Sequence, residues 1–410
     1  MNIEWSATDL AFREEVCSFL EDQLTPELRE AGHLMTSVYA DQEASLAWQL
    51  ILNRRGWAAP AWPIEHGGCD WSLTQHYIFS RESTLAGAPS LSPQGIQMVA
   101  HAIIAFGTPD QKSYFLPRIL SAEVLFCQGY SEPESGSDLA SLSMAAVDDG
   151  DALLCTGSKI WTAHAAESNW MFGLVRTSRG QRKQQGITFV LIDMASPGIE
   201  IHPLAMTSGD LILNQVFFDA VRVPKENVLG AIDDGWTVAK YLLEFERGGG
   251  AVAPGLQVMA ERIATAAAGQ PGPACGRLLD DPQFASKLAA AQVRAQVLEV
   301  LEYRVLAAAA SGGHPGADSS MLKILGTELS QALTELSLEA AGPRGRVYQP
   351  HATLPGGPVS QFEPPSDGYV SGEPWQAVAP LRYFNDRAGS IYAGSNEIQR
   401  NILAKATLGL

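Results

Sequence analysis

The chain has 410 residues, 46% hydrophobic and 18% charged, enough for a large enzyme of two or three domains around well-developed cores. Lysine and arginine total 28 against 45 acidic residues, a net charge of −17 that argues against general attraction to nucleic acid or an anionic membrane. Five cysteines lie far apart with no CxxC pair, and eight histidines show no HExxH spacing, so neither a disulfide scaffold nor a metal site is expected. The opening MNIEWSATDLAFREE has no basic stretch followed by an apolar core, and no membrane-length apolar run occurs, so the expectation is a cytoplasmic protein.

Residues 1–123 read as a helical domain, with Phe12, Val16, Phe19 and Leu20 marking one apolar face. In TPDQKSYFLPRIL, Thr108 caps a helix, Pro109 suits its first position, Gln111 closes a capping box, and Pro117 predicts the end. Residues 124–233 change to short β-branched and aromatic runs such as ITFVLID, IEIHPLAM and NQVFFDAVRVP, separated by turn signals, and predict a β domain. Residues 234–410 return to helical patterns, with one long helix capped by Asp281 and another over about 319–341. Eight prolines between 343 and 380 predict a long irregular loop.

The stretch YLLEFERGGG, residues 241–250, places two glutamates on a helix that runs into three glycines. Ala239, Leu242, Leu243 and Glu246 share one apolar face, whereas Thr237, Lys240, Tyr241 and Glu244 share the opposite, solvated one. A carboxylate on the apolar face either pairs with an arginine in the core or carries a raised pKa that suits a general base. Three successive glycines cost a helix about 1 kcal/mol each relative to alanine. That cost is tolerable where a ligand approaches the backbone.

Four stretches carry a family resemblance: CQGYSEPESGSDLASL at 127–142, GSKIWTAHAAESNWMF at 157–172, FFDAVRVPKENVLG at 217–230, and IYAGSNEIQRNILAKATLGL at 391–410. In order and spacing they resemble the acyl-CoA dehydrogenases, which implies an α+β fold: an N-terminal helical domain, a central β-barrel-like domain and a C-terminal four-helix bundle. The resemblance implies FAD as cofactor, an acyl-CoA substrate, α,β-dehydrogenation to a trans-2-enoyl-CoA, and electron transfer to an electron-transfer flavoprotein. It also implies that Gln128, Tyr130, Ser131, Trp161, Thr162, Ser395 and Glu397 contact FAD, and that Ser137 lies near both flavin and the pantetheine arm. Most members carry the base in a YEG motif, which here reads Tyr392-Ala393-Gly394. Alanine cannot accept a proton. Isovaleryl-CoA and long-chain dehydrogenases place the base before an arginine on the first helix of the C-terminal domain, which corresponds to Glu246 before Arg247.

By the same resemblance the Ala393 amide binds the thioester carbonyl, with Gly394 and Arg247 beside the substrate. Three departures stand out. Ala163 replaces a threonine that reaches the flavin, the RxxFG motif is not evident near 277–290, and the QxxGGxG motif is reduced to EAAGPRG at 339–345. A homodimer or homotetramer is the expected assembly. The missing RxxFG motif keeps a second reading open, a non-catalytic or half-site subunit of a heterotetramer, and an acyl-CoA oxidase is the third. Arg179, Arg182 and Lys183 form the densest basic cluster, either for the CoA phosphates or as a solvated turn. The three glycines favour a branched or bulky acyl group.

Overall fold

The computed structural model describes residues 5–248, 251–310 and 318–409. Six α-helices come first: α1 (Ala7–Gln23), α2 (Pro26–His33), α3 (Gln42–Arg55), α4 (Leu73–Ala86), α5 (Ala100–Phe106) and α6 (Pro109–Leu120). Phe12, Val16 and Leu20 are buried along α1 with Phe19 packed beside them, as the spacing predicts. Thr108 and Gln111 form the expected reciprocal cap on α6. Gln111 also donates through Nε2 to the carbonyls of Glu226 and Val228, which ties this helix to the far end of the β region.

Pro117 does not end α6, which continues to Leu120. A proline inside a helix removes one hydrogen bond and costs about 3 kcal/mol. Phe115, Leu116 and Ile119 are buried on this turn, and their packing carries the helix past it.

Seven strands follow: β1 (Phe126–Gly129), β2 (Ala145–Asp149), β3 (Ala152–Ala163), β4 (Trp170–Arg176), β5 (Ile187–Asp193), β6 (Ile199–Leu204) and β7 (Leu213–Pro224). The sheet order is β1-β4-β2-β3-β7-β6, with β5 paired to β4. β1 and β4 run parallel, whereas β3–β7, β4–β5 and β6–β7 are antiparallel. One face of the curled sheet closes on itself around Cys127, Met171, Val190 and Val216. Phe172, Leu174, Phe189 and Leu191 on the other face join the core of the N-terminal helices.

The C-terminal helices are α7 (Gly235–Gly248), α8 (Val252–Gly269), α9 (Pro282–Ala310), α10 (Asp318–Ala341), α11 (Pro374–Asp386) and α12 (Asn396–Leu408). α10 packs against α8, α9, α11 and α12. Val238, Ala239 and Leu242 of α7 instead enter the core shared by the N-terminal helices and the sheet. The predicted irregular loop is shorter than its prolines suggested, because residues 374–380 already belong to α11. Pro374 occupies the first turn, where its missing N–H costs nothing, and Gln376 accepts from the Glu373 amide at 3.0 Å. Ala377, Val378, Ala379 and Leu381 are buried and hold the helix through Pro380.

Candidate active site

The segment after β1 returns on itself before β2. The amides of Glu132 and Ser135 each donate to the other's carbonyl at 2.9 Å, and the Ile160 amide donates to the Ser131 carbonyl. Beneath it lies a buried ion pair, Lys159 with Glu132 at 2.8 Å. Lys159 Nζ also donates to the carbonyls of Leu174 at 2.6 Å and Tyr130 at 3.3 Å. Glu132 accepts from the amides of Ser143 and Met144, which closes the loop that carries Tyr130, Ser131 and Ser137.

Burial works against the charge of Glu132, but Lys159 and the two amides outweigh it and hold the carboxyl below its ordinary pKa. Burial also lowers the Lys159 ammonium, which Glu132 only partly offsets. The two directions conflict over where the proton sits. Three acceptors for three N–H bonds assign it to the lysine. Neither residue was singled out from the sequence, although both lie inside the quoted motifs; a lysine with buried strand neighbours and an acidic residue one motif away is the signal.

On β3 the register against β7 shifts between Lys159 and Thr162, a bulge that re-aims the side chains between them. Trp161 there has φ 61° and is 61% exposed. Thr162 is fully buried, and its hydroxyl has no hydrogen-bond partner among the described residues. Ala163, next in line, is buried and offers no hydroxyl. His164 follows with φ 58°, its Nδ1 2.6 Å from Glu167 and its ring edge-on to Tyr39 at 4.9 Å.

The turn before α12 is built from two left-handed residues, Ala393 at φ 53° and Gly394 at φ 76°. The buried Gln399 fixes it by donating Nε2 to both their carbonyls, at 3.4 and 3.1 Å. A Cβ at Gly394 would lie 2.5 Å from that nitrogen and displace it, and the left-handed backbone there strains any side chain, so the position favours glycine. Among the described residues, nothing accepts from the Ala393 amide. Ser395 caps α12. Glu397 is exposed in the first turn, its pKa lowered by its own backbone amide and then by Ser395. Tyr392 lies within electrostatic reach of Tyr39, the residue that also touches His164. Tyr39 thereby links this turn to the end of β3.

Gln128, Tyr130, Ser131, Trp161 and Thr162 thus come from neighbouring segments at β1 and β3, whereas Ser137 is exposed on its loop. An aromatic face on a bulge, a buried hydroxyl without a partner and an amide without an acceptor fit a planar ring with a polar edge, as in a flavin. On α7, Ala239 and Leu242 are buried while Thr237 and Lys240 are exposed, as the spacing predicts, but Leu243 and Tyr241, expected on opposite faces, are both half-buried, and the Tyr241 ring meets Phe106 edge-on at 5.3 Å. The side chains of Glu244, Glu246 and Arg247 lie outside the described residues. Arg179, Arg182 and Lys183 are exposed, and Lys183 pairs with Asp138. Arg277, in the stretch 277–290 where RxxFG is not evident, is bound by Asp280. A cavity of ≈ 620 Å³ borders the reduced EAAGPRG segment, lined by Gly342, Pro343, Tyr348, Leu381 and Phe384, and contains none of the expected site residues.

Three domains described as acyl-CoA dehydrogenase N-terminal, middle and C-terminal match residues 6–123, 127–221 and 233–408. Acyl-CoA dehydrogenase IpdE1 of Mycobacterium tuberculosis is 34% identical, with 97% of each chain covered. Acyl-CoA dehydrogenase FadE26 of the same organism is 31% identical over 100% of this chain and 99% of that one. Among solved structures, the Tcur3481-Tcur3483 steroid ACAD superposes with a TM-score of 0.81 at 26% identity, covering 100% of this chain and 99% of that chain. The ChsE4-ChsE5 complex from Mycobacterium tuberculosis gives 0.79 at 28% identity, with the same coverage.

Proposed function

The chain belongs to the acyl-CoA dehydrogenase family, and on that premise we propose that it converts an acyl-CoA thioester to the trans-2-enoyl-CoA. FAD is its cofactor and, when bound, supplies the acceptor for the hydride that leaves Cβ. Gln128, Tyr130, Ser131, Trp161, Thr162, Ser395 and Glu397 would hold the cofactor, with Ser137 between it and the pantetheine arm. The Ala393 amide donates to the thioester carbonyl and stabilises the charge that develops as the α-proton leaves. Glu246 takes that proton, with Arg247 and Gly394 beside the substrate. The Ala393 amide, without an acceptor among the described residues, carries this reading, because the turn keeps its donor while having no acid of its own.

The acyl group is bulky and polycyclic, a reading supported by the three glycines after Arg247 and by the steroid ACAD at 26% identity. Electrons pass on to an electron-transfer flavoprotein. The engagement of Arg277 by Asp280 favours a second reading, in which a different chain completes the FAD site of a heteromer. Flavin content of protein expressed alone, against protein co-expressed with a paired dehydrogenase-like chain, separates the two. Full loading alone removes the heteromeric reading.

Glu246→Gln keeps size and much of the hydrogen bonding while removing basicity. Flavin and acyl-CoA still bind, but flavin bleaching falls on the order of 10²–10⁴-fold. Glu244→Gln, on the opposite helical face, bleaches nearly as wild type. Equal rates in the two variants would rule out Glu246 as base.

A further inference from the structure

Three distant segments of the chain meet at one carboxyl. Asp210, on the turn between β6 and β7, is fully buried. Its Oδ2 accepts from Thr36 Oγ1 at 2.8 Å, in the stretch between α2 and α3, and from Asn385 Nδ2 at 3.1 Å, on the last turn of α11. Asn385 Nδ2 also donates to the Thr36 carbonyl at 2.9 Å, and its Oδ1 accepts from Ser208 Oγ at 2.6 Å. These partners fix the amide, because turning it would set a carbonyl against two acceptors. The proton of Ser208 is thereby committed to Asn385, and Asp210 Oδ1 is left buried with no hydrogen-bond donor among the described residues. Burial pushes the pKa of Asp210 up, and the neighbouring donors offset this only in part.

The turn that carries Asp210 is itself held, the Met206 amide donating to the Asp210 carbonyl at 2.9 Å and the Leu211 amide to the Pro358 carbonyl at 2.7 Å. Two residues on, the buried Ile212 gives its carbonyl to the His164 amide at 2.9 Å and to Asn214 Nδ2 at 3.1 Å. Asn214 Nδ2 also donates to the Thr162 carbonyl at 3.1 Å, so the end of β3 is tied to this turn. From Asn385 the chain runs through a short helix, Arg387–Ser390, to Ala393. Gln331 of α10 donates to the Asp386 carbonyl at 3.1 Å, and the Ala388 carbonyl accepts from the Ile391 and Tyr392 amides at 2.8 and 3.1 Å. The path from Asn385 to the Ala393 turn is therefore braced along its length.

We propose that Asp210 is a positioning residue for catalysis: by joining Asn385 to Thr36 and to the start of β7, it sets the Ala393 amide against the end of β3 that carries Thr162. This rests on the reading that the Ala393 amide binds the thioester carbonyl and Thr162 the flavin. A donor acts at full strength only when aimed at the oxygen where charge develops, and misplacing a reacting group by about 1 Å costs on the order of 10²-fold in rate. Because no donor faces Oδ1, asparagine can replace Asp210, its carbonyl accepting from Thr36 and Asn385 and its NH₂ standing beside Ser208.

The test uses flavin-loaded enzyme, the best-bleaching thioester from a panel of straight-chain, branched and polycyclic acyl-CoAs, and the matching enoyl-CoA isotope-labelled at its thioester carbonyl. Infrared difference spectra read the hydrogen bond to the bound carbonyl, since a donor lowers its stretching frequency. Asp210→Ala should lower the limiting bleaching rate per bound flavin by about 10–10²-fold. Acyl-CoA affinity should change by less than about threefold, the split expected when a transition-state interaction is lost. The bound carbonyl should lose most of its wild-type frequency shift, and amide hydrogen exchange over residues 386–394 should quicken in the flavin-free protein. Asp210→Asn should restore rate, frequency and protection. A purely structural role would lower stability and leave the rate per flavin and the carbonyl frequency as in wild type. If Asp210→Ala yields no flavin-loaded protein, Thr36→Val, which removes one donor and keeps the shape, must move rate and frequency in the same direction. A carbonyl shift equal to wild type in the variant overturns the proposal, whatever its rate. A wild-type enzyme whose bound carbonyl is not shifted removes the Ala393 reading itself, and the proposal with it.

Discussion

Glu132 in the β region and Glu302 in the helical bundle are each 6% exposed, and each accepts two backbone amides from a segment next to proposed site residues. They differ in what faces them. Glu132 has Lys159 at 2.8 Å, whereas Glu302 has a tyrosine hydroxyl at 3.1 Å and another glutamate nearby. The first carboxyl is held below its ordinary pKa and the second above it, although burial pushes both upward. A loop that carries several cofactor-binding candidates is thus clamped by a full ion pair. The start of α8 is capped by a group that can be neutral.

Deleting the cation is the strongest way to break this comparison. Lys159→Met leaves Glu132 buried without a counter-charge and should cost about 3–5 kcal/mol, measured by denaturant unfolding. The double variant Lys159→Met with Glu132→Gln should recover part of that loss, because no charge is then stranded. Flavin content should fall in the single variant, since the loop bearing Tyr130, Ser131 and Ser137 loses its brace. A double variant no better than Lys159→Met alone would show that the two residues do not act as a pair.

What the sequence made legible follows the same division. Periodicity revealed the apolar stripe of α1, the cap on α6 and the burial of Ala239 and Leu242 on α7, because these depend on near neighbours in the chain. Motif resemblance pointed to Trp161, Thr162 and the turn at Ala393, but not to what supports them. Lys159 and Glu132 are 27 residues apart, and Glu302 is about 50 from the amides it caps. Such pairs form only when the fold brings distant segments together, and no local pattern marks them. The two helix ends misjudged at prolines have the same origin. Burial of Phe115, Leu116 and Ile119, and of Ala377 and Leu381, overrides the local preference that Pro117 and Pro380 express.

The two carboxyls should also respond to pH with opposite sign. For Glu132, depressed in the folded state, the stabilisation is present above the unfolded carboxyl pKa and is lost as pH falls through the folded value. Glu132→Gln is therefore at its greatest disadvantage near neutrality, and the gap to wild type narrows in acid. For Glu302, raised in the folded state, the stabilisation is complete below the unfolded pKa and is lost as pH rises through the folded value. Glu302→Gln cannot ionise, so it should gain on wild type as pH rises through that window. Thermal unfolding of both variants across the acid and neutral range tests this, and slopes of the same sign would refute the contrast.

The smallest expected difference separates two single hydroxyls. Tyr77→Phe removes the donor on the second oxygen of Glu302, which is too enclosed for water to take the place freely. An unsatisfied buried acceptor of this kind costs about 1–3 kcal/mol. Ser143→Ala removes a 3.0 Å donor to Glu132, but Ser143 is exposed, and Glu132 keeps Lys159 and both amides. That change should cost no more than about 1 kcal/mol, an ordinary net hydrogen bond. Chemical denaturation of the two variants at neutral pH orders them directly. If Ser143→Ala proved the more damaging, the ion pair would not be the main clamp on the signature loop, and the serine hydroxyl would have to take its place.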